Sequence, residues 1–211
     1  MLAYPNAEQI RKQLDGAGSS YLPHDASLFS EEEWAEIEKL VFHPELPWEK
    51  VTVGDADEPN DVHVGRFMTD VERPLIVNPW VSQKLLAILV SPQVMALFGE
   101  ILGAETLCVR RAQVNRMESG SFIGFHLDRD SNPDYEISIV LQLGKQFSGG
   151  EFVVHENEAV LHSYAPSYRS ILISRCDLPH EVKTVTAGDR ISLVFFLSRH
   201  SGLNRRLYPE A

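Results

Sequence analysis

The chain has 211 residues, 44% of them hydrophobic, with 13 Gly and 12 Pro; this suits one domain spanning 1–211, with a substantial core and many turns, and leaves little room for a second. Thirty Asp and Glu against 19 Lys and Arg give a formal net charge of -11, whereas a phosphate backbone calls for a basic footprint, so nucleic acid is not an expected partner. No apolar run is long enough to span a bilayer, and the start, Met1 to Glu8, lacks a basic stretch followed by an apolar one, so no membrane association and a cytoplasmic location are expected.

Residues 7–15 read as a short helix ending near Gly16 and Gly18. A sharper start follows: Ser30 can accept from a backbone N–H, Glu33 can complete a capping box, and Phe29 with Trp34 can act as a hydrophobic staple. Trp34, Ile37, Leu40 and Val41 then recur at helical spacing, and their wide apolar face calls for a sheet to cover. Residues 44–79 break into turns and short extended pieces, including 48–53 and 63–67. Residues 79–90 read as a helix with Val81, Leu85, Leu86 and Leu89 inward. Ser91-Pro92 offers an N-cap with Pro at the first helical position, and Val94, Leu97, Phe98 and Ile101 carry a further helix to Gly103.

The second half changes period. Segments at 106–116, 122–126, 136–143, 151–155, 158–161, 170–174, 181–185 and 190–197 are short, rich in Val, Ile and Phe, and separated by turns, with 155–158 as a hairpin connection. Eight such strands point to a double-sheet jelly roll. The expected fold is α+β: a double-stranded β-helix core over 106–197 with N-terminal buttressing helices. Gly149-Gly150 allows a bend or a close backbone approach. Cys108 and Cys176 read as small buried hydrophobes rather than a disulfide. No internal repeat or low-complexity segment is present.

His126 and Asp128, two residues apart, would leave the same face of an extended strand. His180 lies far down the chain and needs a folded sheet to bring it back. Two neutral imidazoles and a carboxylate occupy one face of an octahedral Fe(II) and leave positions open for further ligands and O2. Around them stand Phe147-Ser-Gly-Gly-Glu-Phe152 and the run from His180 to Ser192, which has the form His-x-Val-x-x-Val-x-x-Gly-x-Arg-x-Ser.

In these residues the chain resembles the Fe(II)- and 2-oxoglutarate-dependent dioxygenase superfamily, closest in pattern to its prolyl-hydroxylase-like branch. The resemblance covers the strand-rich half. It implies a metal site of His126, Asp128 and His180 and, on a strand neighbouring that of His180, Arg190 holding the distal carboxylate of 2-oxoglutarate; these four are the expected catalytic residues. A guanidinium fork fits a carboxylate bidentately. Ser192, one alternate residue along, can add a hydroxyl, and Gln142 and Asn115 complete the expected cosubstrate set. Fe(II), 2-oxoglutarate and O2 are the implied cofactor and cosubstrates, with ascorbate as an accessory reductant.

The pattern departs from many relatives at Arg116-Met117, where they carry Arg-Tyr, at Ile123, where they carry a tyrosine ahead of the first ligand histidine, and at Gln142, which stands for a further tyrosine. Asp128 argues against the halogenating branch, which gives up this carboxylate. Phe196 stands where the nucleic-acid demethylating branch has a second arginine. The implied reaction is hydroxylation of an unactivated C–H of a small molecule, an amino acid or natural product, with formation of succinate and CO2; desaturation and epoxidation use the same iron. A peptidyl-prolyl or other protein hydroxylase is one alternative. A cupin-like non-redox metal enzyme or binding module, which has no need of Arg190, is another. Arg66, Arg116, Asp130, Tyr135 and Arg199 are the candidate substrate residues; strand parity forbids Asn115 and Arg116 from both facing inward. His63, His155, His162 and His200 are left over as surface or supporting groups.

Overall fold

The computed structural model describes residues 5–24, 28–55, 57–157 and 159–210. In chain order the first half contains α1 (Ala7–Ala17), β1 (Ser19–Leu22), α2 (Glu31–Val41), β2 (Trp48–Val53), β3 (Pro59–Asp70), β4 (Pro74–Ile76), α3 (Pro79–Leu89) and α4 (Pro92–Leu102). The second half contains β5 (Cys108–Met117), β6 (Phe122–His126), the one-turn α5 (Asp128–Ser131), β7 (Ile137–Gln142), β8 (Phe147–Gly149), β9 (Phe152–Glu156), β10 (Ala159–Tyr164), β11 (Ile171–Arg175), β12 (His180–Val182), β13 (Val185–Gly188) and β14 (Arg190–Ser198).

The helix signals in the sequence act as expected. Asn6 caps α1, and Gly18 ends it in the left-handed region at φ 69°. Ser30 and Glu33 form the capping box of α2, with the Phe29 and Trp34 rings edge to face at 5.6 Å. Ser91 accepts from Val94 N at the start of α4. Helix α2 packs on α3, and α1 on α4. Among the described residues no single helix is long and apolar enough to cross a membrane.

The strands run in the order β1-β11-β7-β14-β5-β3-β6-β12-β9-β10, with β2 and β4 also on β3 and a separate β13-β8 pair. The sheet is nearly closed as a barrel, the double-stranded β-helix arrangement. Strand β3 makes the corner: residues 63–68 pair with β5 on one face of the barrel, and Asn60 and Asp61 pair with β6 on the other. Parity then sorts the side chains. Ala112, Val114, Ile139, Leu141, Leu193, Phe195 and Leu197 face outward and join the helices in one core cluster. Val62, Val64, Met117, Val140, Phe152, Val182, Val194 and Phe196 face inward in a second.

Several expectations need correction. The segment read as one strand over 181–185 is two, β12 and β13, on different sheets: the chain turns at 183–184, where Lys183 N donates to Glu151 O and Thr184 O accepts from Gly150 N. The strands of His180 and Arg190 are not neighbours. β12 lies between β6 and β9, whereas β14 lies between β5 and β7, so the two residues face each other across the barrel. Asp128 is not on a strand; β6 ends at His126, and Asp128 opens α5. Strands β1, β4 and β8, only four, three and three residues long, carry no strand pattern of their own in the sequence. Of the expected strand at 158–161, Glu158 lies outside the described residues, and the remainder opens β10. Both cysteines are free; Cys176, just past β11, is buried as expected, whereas Cys108, opening β5, is only half-buried.

Candidate active site

His126 and His180 meet because β6 and β12 pair in register at these two residues. Their ring centroids are 4.3 Å apart. Asp128 reaches both, its Oδ1 lying 3.5 Å from His126 Nε2 and its Oδ2 3.6 Å from His180 Nε2. One ligand atom from each of the three lies within 4.8 Å of the others. His126 Nδ1 is 2.8 Å from Gly124 O and His180 Nδ1 is 3.1 Å from Leu178 O. A carbonyl can only accept, so it holds the proton on Nδ1 and leaves each Nε2 lone pair aimed into the site. The Phe152 ring stacks on His180 at 4.9 Å and fixes its plane.

The charge state suits a cation. Burial alone would raise the Asp128 pKa, but the two imidazoles outweigh it and hold the carboxyl below its usual range. Burial pulls His180 down, keeping it neutral, while for His126 the burial is outweighed by Asp128 and the pKa moves up. Asp128 Oδ2 is buried without a hydrogen-bond partner. An anionic oxygen left unsatisfied between two nitrogen lone pairs is costly unless a metal ion completes it.

The triad opens into a cavity of about 410 Å³ between the two faces of the barrel. At its floor lies Arg190, 2% exposed. Its Nη1 is 3.2 Å from Ser192 Oγ and 3.5 Å from Met117 Sδ, and its Nε has no partner. Among the described residues no carboxylate pairs with it, and burial pushes its pKa down to about 10. Gly150, at φ 69°, makes room for it: a Cβ there would stand 2.7 Å from Arg190 Cδ. A buried guanidinium with no counter-charge, in a cavity shared with the triad, fits a carboxylate ligand.

The other expected residues divide. Asn115 and Ser192 are cross-strand partners and both line the cavity. Gln142, expected in the cosubstrate set, is the partner of Ser192 on β7 but is not among the cavity-lining residues: its Nε2 donates to Ile191 O at 3.1 Å and to Gly144 O at 3.5 Å, so both amide hydrogens go to backbone carbonyls, and its Oε1 is buried without a partner. Ile123 and Arg66 line the cavity. Tyr135 does too, stacked on Phe196 at 4.6 Å, and burial raises its pKa, so the phenol stays protonated. Three expected substrate residues lie elsewhere. Arg116 faces outward, as parity with Asn115 requires, and pairs with Asp189 at 3.0 Å. Asp130 is exposed on α5, because the helical turn carries it away from the site that Asp128 enters. Arg199 is exposed, bonded to Glu136 and to Leu102 O.

The cavity is also lined by residues with no counterpart in the sequence reading, among them Glu58, Asn60, Arg111 and Gln113; the last two lie on β5. Parity counted back along β5 from Asn115 would have found both. Arg111 Nη1 is 2.5 Å from Asp55 Oδ2, and its Nε is 2.9 Å from Gln113 Oε1. Burial works against its charge, but the Asp55 and Asp128 carboxylates favour the ionised guanidinium, and its pKa moves up.

The family model for the 2OG-Fe(II) oxygenase superfamily matches residues 112–198, the stretch that holds the triad and Arg190. No curated protein matches the chain. Among solved structures, an oxidoreductase of the 2OG-Fe(II) oxygenase family from Burkholderia pseudomallei is 42% identical over 98% of this chain and 97% of that one, with a TM-score of 0.85. A prolyl-4-hydroxylase from Pseudomonas putida is 18% identical over 92% of this chain and all (100%) of its own, with a TM-score of 0.62. HygX from Streptomyces hygroscopicus, solved with nickel and 2-oxoglutarate bound, is 12% identical over 92% of this chain and 87% of its own, with a TM-score of 0.65. At the two lower identities the likeness speaks for the fold alone.

Proposed function

Since the chain belongs to the 2OG-Fe(II) oxygenase family and is a 2-oxoglutarate-dependent iron dioxygenase, we propose that it hydroxylates an unactivated C–H bond of a small molecule, with His126, Asp128 and His180 holding Fe(II) and Arg190 holding 2-oxoglutarate. The observation that carries this reading is Arg190 itself, buried without counter-charge in the cavity that the triad opens into. A cupin-like module has no use for such a group, because a buried unpaired charge is destabilising unless a ligand neutralises it.

His126 and His180 would hold the metal through Nε2, oriented by the carbonyls of Gly124 and Leu178. Asp128 adds one negative charge, and three ligands on one side leave the cavity side for other ligands. When bound, the iron supplies the oxidation of the 2-oxo acid by O2, giving succinate and CO2, and the oxidising equivalent that attacks the substrate C–H. Arg190 pairs with the distal carboxylate, Ser192 Oγ beside it adds a hydrogen bond, and Asn115 faces the same space. Val140, Val194 and Phe196 form an apolar wall that keeps water from the reacting carbon. No side chain is asked to act as a general base or nucleophile.

A small substrate is favoured over a protein loop because β2 and the turn after it lie over the mouth, where Asp55 joins Arg111. The test is succinate formation from 2-oxoglutarate with Fe(II) and ascorbate, in the wild type and in Arg190→Ala. The wild type binds and turns over 2-oxoglutarate, and the variant does neither. Unaltered 2-oxoglutarate binding by Arg190→Ala would overturn the assignment.

A further inference from the structure

The inward row of β5 runs Met117, Asn115, Gln113, Arg111, opposite Arg190, Ser192, Val194 and Phe196 of β14. At about 3.3 Å per residue, the backbone positions of Arg190 and Phe196 are roughly 20 Å apart. The cavity therefore has a guanidinium at its floor and another, Arg111, entering from its mouth, and they share no partner. Arg190 touches Ser192 and Met117, while Arg111 touches Gln113 and Asp55. Arg66 joins the outer group, its Nη1 3.5 Å from the same Gln113 Oε1.

Arg111 faces the cavity by the same alternation as Gln113 and Asn115, at the edge of an irregularity in β5. Phe196 pairs with Arg111 but Leu197 pairs with Val109, so Arg110 is an extra residue on β5. The bulge shifts the alternation beyond it, so that Val109 joins the outward cluster with Leu197, whereas Arg111 keeps the parity of Gln113 and Asn115. Arg110 goes to a fully buried ion pair with Asp70, and Arg111 goes to the cavity.

The charges that answer these arginines come from outside. Asp55 lies in the turn after β2, its side chain 50% exposed against 18% for Arg111. Glu49, on β2, is 61% exposed and lies 2.9 Å from Arg66. Asp55 thus places a carboxylate on a short stem, from the solvent side, onto a guanidinium set in the cavity wall. A substrate carboxylate arriving from the mouth has the same shape and charge and meets the same fork.

We infer that the primary substrate is a small carboxylate whose anionic group is held by Arg111, flanked by Arg66, in the place that Asp55 takes in its absence. This rests on the dioxygenase reading above. The carboxylate end sits at the mouth, the 2-oxoglutarate carboxylate sits on Arg190 at the floor, and the carbon to be oxidised lies between them beside the triad.

Two measurements test it. The first uses acetate as the probe, on protein loaded with Mn(II) and 2-oxoglutarate so that Arg190 is taken. Sodium acetate raises the Tm of Asp55→Asn above that in sodium chloride of equal ionic strength, and does not do so in Asp55→Asn with Arg111→Gln. An equal effect on both variants, or none on either, overturns the inference. The second offers the Fe(II) enzyme a panel of small carboxylates and their primary amides and follows succinate release. Carboxylates stimulate and amides do not, and Arg111→Gln raises the KM of a stimulating acid at least roughly 30-fold with 2-oxoglutarate affinity unchanged; Arg111→Lys, which keeps charge but not the fork, falls between. An amide as effective as its acid, a panel with no stimulating member, or an unmoved KM overturns it. A protein that fails to bind 2-oxoglutarate at all sinks instead the reading on which this rests.

Discussion

The two faces of β14 are built from alternate residues of one nine-residue strand, and they are used in opposite ways. Leu193, Phe195 and Leu197 point outward, each 0% exposed, into the helices, and Phe195 meets Phe98 edge to face at 6.4 Å. Arg190, Ser192, Val194 and Phe196 point inward to the cavity. The outward row satisfies itself by packing. The inward row starts with a buried charge that nothing in the described chain neutralises. On the proposed reading one strand carries stability on one parity and ligand chemistry on the other, and a substitution tests this by whether it moves unfolding or binding.

The largest effect is expected at the triad. His126→Ala or His180→Ala removes stoichiometric Fe(II) uptake in anaerobic titration, with far-UV circular dichroism unchanged; retained stoichiometric iron in both contradicts the ligand assignment. Next comes the outward row. Phe195→Ala leaves a cavity between sheet and helices and lowers the unfolding free energy by about 3–5 kcal/mol in denaturant titration, while the folded fraction still takes up iron. A loss under 1 kcal/mol would mean that the two faces are not divided as described. Arg190→Met sharpens the contrast from the inner side. Replacing a desolvated, unpaired guanidinium by an apolar side chain of similar length raises the stability of the ligand-free protein by about 1–4 kcal/mol, read as a higher urea midpoint; a lower midpoint would show that Arg190 serves the fold. The smallest effect is at the rim of the helical layer, where Ser30→Ala removes the α2 cap and costs about 1 kcal/mol, with no change in ligand binding.

The helical layer was legible because its signals are local. The capping box at Ser30 and Glu33, the staple of Phe29 and Trp34, and Pro at the start of α4 each lie within one turn. The meeting of His126, Asp128 and His180 was legible for another reason: the motif from His180 to Ser192 sets a histidine and an arginine at a fixed spacing, the residues to which the proposed roles attach. What escaped depends on long-range pairing. β1, Ser-Ser-Tyr-Leu, has no strand pattern of its own and forms because it lies along β11. The route between His180 and Arg190 was misplaced because a turn at 183–184 sends the chain across the barrel. Asp128 comes to the histidines from a helical turn, a geometry that the spacing of two does not reveal. Arg111 was within reach of the same parity that places Asn115, but its partner Asp55 comes from the distant turn after β2, which no local spacing reveals.

The most direct test is a calorimetric titration of 2-oxoglutarate into Mn(II)-loaded wild type, Arg190→Met and Leu193→Ala, one substitution on each face of β14. Wild type and the folded Leu193→Ala protein bind alike, and Arg190→Met loses at least roughly 30-fold in affinity. Equal binding by Arg190→Met and wild type would contradict the division of this strand into a face that binds and a face that holds.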